Sequence, residues 1–133
     1  MQLYLGLGCR RGCPVDALSA LLTRTLLAHD LPPGAVMGLA SIDLKRDEPG
    51  LHELARRLDV PLVFFSAAQL AAFEQRLSHR SAVAYQHSGC YGVAESAALA
   101  LAEQLGGPAR LRVPRSLQAD ASLALACATD FRR

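Results

Sequence analysis

Apolar residues recur along this chain in two alternating styles. Short runs without helical period, Leu3 to Leu7, Val36 to Ile42 and Val60 to Phe65, are each followed by a longer stretch in which apolar side chains return every three or four positions. The short runs predict strands buried on both faces, and the periodic stretches predict helices with one face in the core. Leu18, Leu21, Leu22 and Leu26 mark the first helix, Leu51, Leu54, Ala55 and Leu58 the second, Leu70, Phe73 and Leu77 the third, and Ala94, Ala97, Ala98, Leu101 and Leu105 the last. Pro14 and Pro49 fall in first turns, Ser66 with Gln69 spells a capping box, and Gly106-Gly107-Pro108 is a stop signal. Ala82 to Tyr85 reads as a further short strand. Arg110 to Val113 and Ser122 to Cys127 read as two last ones, joined by a polar loop from Pro114 to Asp120.

Strand and helix alternating with short links predict a layered α/β domain, with ligands beyond the carboxyl ends of the strands. The 133 residues fit one domain, taken as residues 1–133, with no internal repeat or linker. A content of 51% hydrophobic and 20% charged residues excludes a disordered chain, and no apolar run approaches the ~20 residues that cross a bilayer. Nothing in the sequence reads as an export signal, so the expectation is a cytoplasmic protein with no membrane partner.

The net charge of +2 is too small to mark a nucleic-acid binder, and no basic tract is interleaved with aromatics. Lys45 is the only lysine, the other permanent cations being arginine. That bias suits planar recognition of carboxylates, and a high-GC genome would produce it equally well. Cys9, Cys13, Cys90 and Cys127 are expected as thiols. The Cys9/Cys13 spacing is neither a redox CxxC nor half of a zinc ribbon, so neither metal nor cofactor is expected.

Three stretches carry chemistry. Gly6-Leu7-Gly8-Cys9-Arg10-Arg11-Gly12 stands between the first strand and the first helix, where glycines and free helix amides make an anion site and two arginines add forked donors; two solvated arginines on a tight connection are the plainer alternative. Ser41 to Gly50 follows the second strand with Asp43, Lys45, Arg46, Asp47 and Glu48, and no turn signal of its own. His52 is expected at the surface, near that loop. Gln86 to Gly92 forms a second glycine turn, with His87, Ser88 and Gly89, before the helix that holds Glu95 in its first turn. The glycine spacing is wrong for a dinucleotide fold, no Gly-Lys-Ser/Thr marks a P-loop, and no GxSxG elbow is present.

Gly8-Cys9-Arg10-Arg11-Gly12, the eleven residues Ser41 to Leu51, and Val93-Ala94-Glu95 with its alanine-rich helix resemble the family that joins the CobE proteins with the C-terminal domain of CbiG, in cobalamin biosynthesis. The likeness runs in order along nearly the whole chain, as far as Leu111-Arg112-Val113-Pro114-Arg115 and the strand from Ala121 to Ala126. It implies a three-layer α/β/α sandwich with a mixed, mostly parallel sheet. It also implies a corrin-ring precursor as partner, with other enzymes of the pathway beside it.

Such intermediates carry acetate and propionate carboxylates around a wide apolar ring. Arg10, Arg11, Lys45 and Arg46 are the expected cations for that rim, with Gly8, Cys9, Gly12, Glu48, His87, Ser88 and Gly89 around them. Two classes of function follow: a binding or carrier module for the macrocycle, or a CbiG-like hydrolase that opens a lactone on it. In the second, Asp43 or Glu95 would activate water or move a proton, and Lys45 would polarise the carbonyl.

Overall fold

The computed structural model describes residues 1–78, 92–118 and 121–128. In chain order the strands are β1 (Leu3–Cys9), β2 (Val36–Ile42), β3 (Leu62–Phe65), β4 (Ala109–Gln118) and β5 (Ala121–Ala128). The helices are α1 (Val15–Ala28), α2 (Pro49–Leu58), α3 (Ala67–Ala71) and α4 (Val93–Leu105).

The strands lie in the order β3-β2-β1-β5-β4. β1 pairs in parallel with β2, and β2 with β3, while β5 runs antiparallel to both β1 and β4. Every strand except β5 therefore points the same way. β1, at the centre, is buried on both faces, as its apolar run requires.

Leu3, Leu5 and Leu7 enter one core with Leu18, Leu21, Leu22 and Leu26 of α1 and Leu51, Leu54 and Ala55 of α2. Tyr4 points to the other face and packs with α4, whose Ala94, Ala97, Ala98, Leu99 and Leu101 are buried. Leu70 of α3 joins that second core. The result is α1 and α2 on one side of the sheet and α3 and α4 on the other.

Small residues set how closely α4 approaches. A Cβ on Gly6 would lie 1.9 Å from the Ala94 carbonyl oxygen and 2.6 Å from the Ala98 nitrogen, so the helix backbone rests on β1 where only glycine leaves room.

Three elements differ from the reading of the sequence. The third helix stops at Ala71 and continues as a 3-10 turn, Glu74–Arg76, although its capping box forms as expected: Gln69 N–H donates to Ser66 Oγ and Ser66 N–H to Gln69 Oε1. Arg76 closes that turn, donating to Glu103 at 2.9 Å and to the Ala109 carbonyl, with its guanidinium over the Phe73 ring. The polar stretch after Val113 is strand, not loop, as far as Gln118. β4 is an edge strand, where Pro114 and outward polar groups are tolerated, and irregular register between Leu111 and Ser116 absorbs the proline. Finally, Asp43–Lys45 forms a 3-10 turn, so the second polar stretch does have a turn of its own.

The strand expected at Ala82 to Tyr85 lies outside the described residues. Among the described residues no helix is long and apolar enough to cross a membrane.

Candidate functional site

Parallel pairing brings the carboxyl ends of β1 and β2 side by side, and each strand hands over to a helix on the same face of the sheet. Two loops thus leave one edge together: residues 10–14 after β1 and residues 43–48 after β2.

The first loop turns through a hydrogen bond from Cys13 N–H to the Arg10 carbonyl at 3.1 Å. Gly12 sits at φ 77°, in the left-handed region, which leaves its N–H pointing across to the second loop. There it donates to Glu48 Oε1 at 2.7 Å. A second close approach backs this up, since a Cβ on Gly50 would come within 2.6 Å of the Cys13 carbonyl oxygen. The two helix starts are therefore held against one another, with a shallow, largely apolar depression of about 250 Å³ between Gly12, Cys13, Pro14, Val15, Pro49, Gly50 and Glu53.

The second loop is held internally and from below. Its turn is closed by Arg46 N–H to the Asp43 carbonyl at 3.0 Å and Glu48 N–H to the Lys45 carbonyl at 3.0 Å. His52, on the exposed face of α2, places Nε2 2.7 Å from the Arg46 carbonyl and its ring 5.8 Å from that of Phe64. Asp43 and Lys45 are half-buried; Arg46 and Asp47 are exposed, as are Arg10 and Arg11 across the gap.

Cys9, the last residue of β1, senses both loops. Burial pushes its thiol up from the ordinary 9.0 to about 11, the neighbouring Cys13 adds to the rise, Lys45 opposes it and Glu48 adds a little more. The Lys45 ammonium and Glu48 carboxylate are therefore close enough to act on the end of β1. Gly8, just before it, packs instead toward the other face: a Cβ there would meet Ser122 Oγ at 2.8 Å and then Val93 at the start of α4. Of the glycines in the first stretch, only Gly12 uses a positive φ.

Glu95 stands apart from this edge. It is 1% exposed, on the α4 side of the sheet, and its carboxyl accepts Ser78 N–H at 2.7 Å, Arg115 N–H at 2.7 Å and the Ser78 hydroxyl. Those donors and the α4 N-terminus offset the cost of burying a carboxylate. Glu95 thereby ties the segment after α3, the start of α4 and strand β4 together. Asp43 and Lys45 share a turn, while Glu95 belongs to a different contact. His87, Ser88 and Gly89 lie outside the described residues. Among the described residues, no three His, Cys, Asp or Glu side chains gather in a way that would hold a metal ion.

The sequence reading missed one support of the site. Ser41 is fully buried and donates from Oγ to the Leu7 carbonyl at 2.7 Å, stitching β2 to β1 just below the loops. His52 is exposed and beside the second loop, as expected, and its contact with the Arg46 carbonyl is what the fold adds.

Residues 3–126 match the family described as the cobalamin synthesis G C-terminus. The chain belongs to this family. Protein CobE of Sinorhizobium sp. is 40% identical over 124 residues, 93% of this chain and 79% of that protein. The crystal structure of CobE, a protein from the cobalamin (vitamin B12) biosynthetic pathway, superposes with a TM-score of 0.93 at 49% identity, over 98% of this chain and 93% of that one. The cobalt-precorrin-5A hydrolase of Salmonella typhimurium is 45% identical over 73 residues, 55% of this chain but only 21% of the hydrolase. The cobalamin synthesis G C-terminal fold thus accounts for the three layers, and this chain is a CobE-like cobalamin biosynthesis protein.

Proposed function

We propose that the edge above β1 and β2 binds a corrin-ring intermediate, a precorrin or hydrogenobyrinic-acid-like macrocycle, through its peripheral carboxylates. Arg10, Arg11, Lys45 and Arg46 grip the rim, and Gly8, Cys9 and Gly12 shape the backbone beneath it. The observation that carries this reading is the bond from Gly12 N–H to Glu48 Oε1, because it couples a loop bearing two arginines to a loop bearing Lys45 and Arg46. In this role Glu48 acts by positioning, its carboxylate being turned to the protein. Cations from two independent loops suit a ligand with carboxylates at several points of its circumference better than a single small anion. Other enzymes of the cobalamin pathway, in the cytoplasm, would supply and receive the ligand.

The match to the hydrolases favours a second reading, in which the same edge opens the lactone of a ring-contracted precorrin and releases a two-carbon fragment. Asp43 is the group there to activate water and Lys45 the one to polarise the carbonyl. Glu95 lies on the other face of the sheet, with its carboxyl bonded to Ser78 and to the Arg115 amide, so Asp43 is the acid at this edge. One experiment separates the readings. Purified protein is mixed with a hydrogenobyrinic-acid-type corrinoid and, separately, with cobalt-precorrin-5A, and followed by absorbance and mass. A saturable spectral shift at unchanged ligand mass supports binding; loss of the two-carbon fragment as acetaldehyde supports hydrolysis; neither result overturns both.

A further inference from the structure

Helix starts usually carry a short polar cap, and α1 and α2 both lack a capping side chain. Pro14 stands in the cap position of α1, and Glu48, in that of α2, turns its carboxylate to Gly12 N–H. What the two starts present to solvent between them is apolar and stiff. Pro14 and Pro49 are exposed and Val15 is half-buried along the 250 Å³ depression, each proline ring holding its backbone angle fixed. The depression is open beside Gly12, where a Cβ would meet nothing within 4 Å. Its charged lining residue, Glu53, has its carboxylate bonded to Arg56 and Arg57.

An apolar hollow framed by cations suits a ligand that has both characters. Arg10 and Arg11 immediately precede Gly12 at one rim, and Lys45 and Arg46 belong to the loop that ends at Pro49 on the other. The size of the hollow decides how such a ligand sits. Sites that enclose a drug-sized molecule measure about 300–1,000 Å³. A macrocycle of four linked rings with acidic arms is larger than such a molecule, and the hollow is smaller than such a site. Resting on the corrinoid reading above, we infer that the depression seats one corner of the macrocycle edge-on, a single five-membered ring with its alkyl groups against Pro14, Val15 and Pro49. The carboxylates on either side of that corner meet Arg11 and Lys45, and the opposite half of the macrocycle stands clear of the protein. A second protein can then grasp the exposed half before the first lets go, which is what a carrier requires. A small polycarboxylate meets the cations but gains nothing from the hollow, so the hollow selects a ring among anions of similar charge.

Val15→Phe fills the hollow without altering charge. In absorbance titration with a hydrogenobyrinic-acid-type corrinoid it is expected to raise Kd about tenfold while keeping the salt dependence of the wild type, and thermal unfolding checks that the fold is intact. The orientation is read independently on the wild type, from the quenching of the bound metal-free corrinoid's fluorescence by acrylamide, a neutral quencher. Because a site that encloses its ligand buries roughly 70–90% of it and this one leaves half outside, the quenching constant should fall by less than about fivefold on binding. Three results would each overturn the inference and leave the corrinoid reading in place: a Kd for Val15→Phe within about threefold of the wild type, a weakening that comes with lost salt dependence, or quenching reduced by more than about fivefold. A wild type that does not bind the corrinoid at all would remove both.

Discussion

Glu95 is the residue whose chemistry and position diverge most. In the sequence it is an acid in a helix's first turn, a plausible proton carrier; in the fold its carboxyl accepts three donors drawn from two separate segments. Glu95→Ala should cost about 3 kcal/mol of stability in urea unfolding, because it leaves those donors unpaired in a buried place. If Glu95 served only catalysis, the same variant would unfold like the wild type. Cys9 gives a second residue-level test. Its thiol holds its proton to about pH 11, against an ordinary 9.0. The unfolded chain therefore releases that proton first as pH rises, so the stabilisation is present below about pH 9 and is lost as pH climbs toward 11. Alkylation of Cys9 by iodoacetamide, followed by mass, should reach half its limiting rate near the upper value. Half-rate near 9 would mean that the thiol is not shielded as the structure has it. Neither behaviour could be read from the sequence, since both depend on what distant segments bring alongside.

At the scale of elements, β1 to β3, α1, α2 and α4 were legible because their patterns are those of buried strands and one-sided or alanine-rich helices. α3 was overextended for a physical reason: Leu70 and Phe73 keep a helical spacing that a 3-10 turn also satisfies over so short a distance. β4 was cut short because the half of it beyond Val113 is a polar edge with a proline, which looks like loop in one dimension. A ligand site beyond the carboxyl ends of the strands was expected from topology, but the strut between the two loops there was not, for a carboxylate accepting a glycine amide 36 residues away leaves no local mark. Glu48 variants isolate that strut. Glu48→Gln keeps an acceptor for Gly12 and Glu48→Ala does not, so corrinoid affinity should fall several-fold more in the alanine variant, with about 1 kcal/mol of stability lost beside it. Equal affinities for the two variants would show that the bond does not organise the loops.

For the whole molecule, the family match and the CobE-like fold cover almost the entire chain, whereas the hydrolase match covers a fifth of that enzyme. This chain is a layered sheet with arginines and a lysine on the two loops at one edge, and the proposed ligand is one whose charge is spread around a ring. The resemblance carries an order of motifs, and the fold adds their geometry: two of the three chemical stretches meet at one edge, and Glu95 of the third serves the opposite face. The most direct test of the account is the Kd of a hydrogenobyrinic-acid-type corrinoid for the wild type, Arg11→Ala and Lys45→Ala at low and high salt. Saturable binding that weakens about tenfold in each variant, with a shallower salt dependence than the wild type, is the predicted result. Binding by both variants as tight and as salt-sensitive as that of the wild type would contradict it.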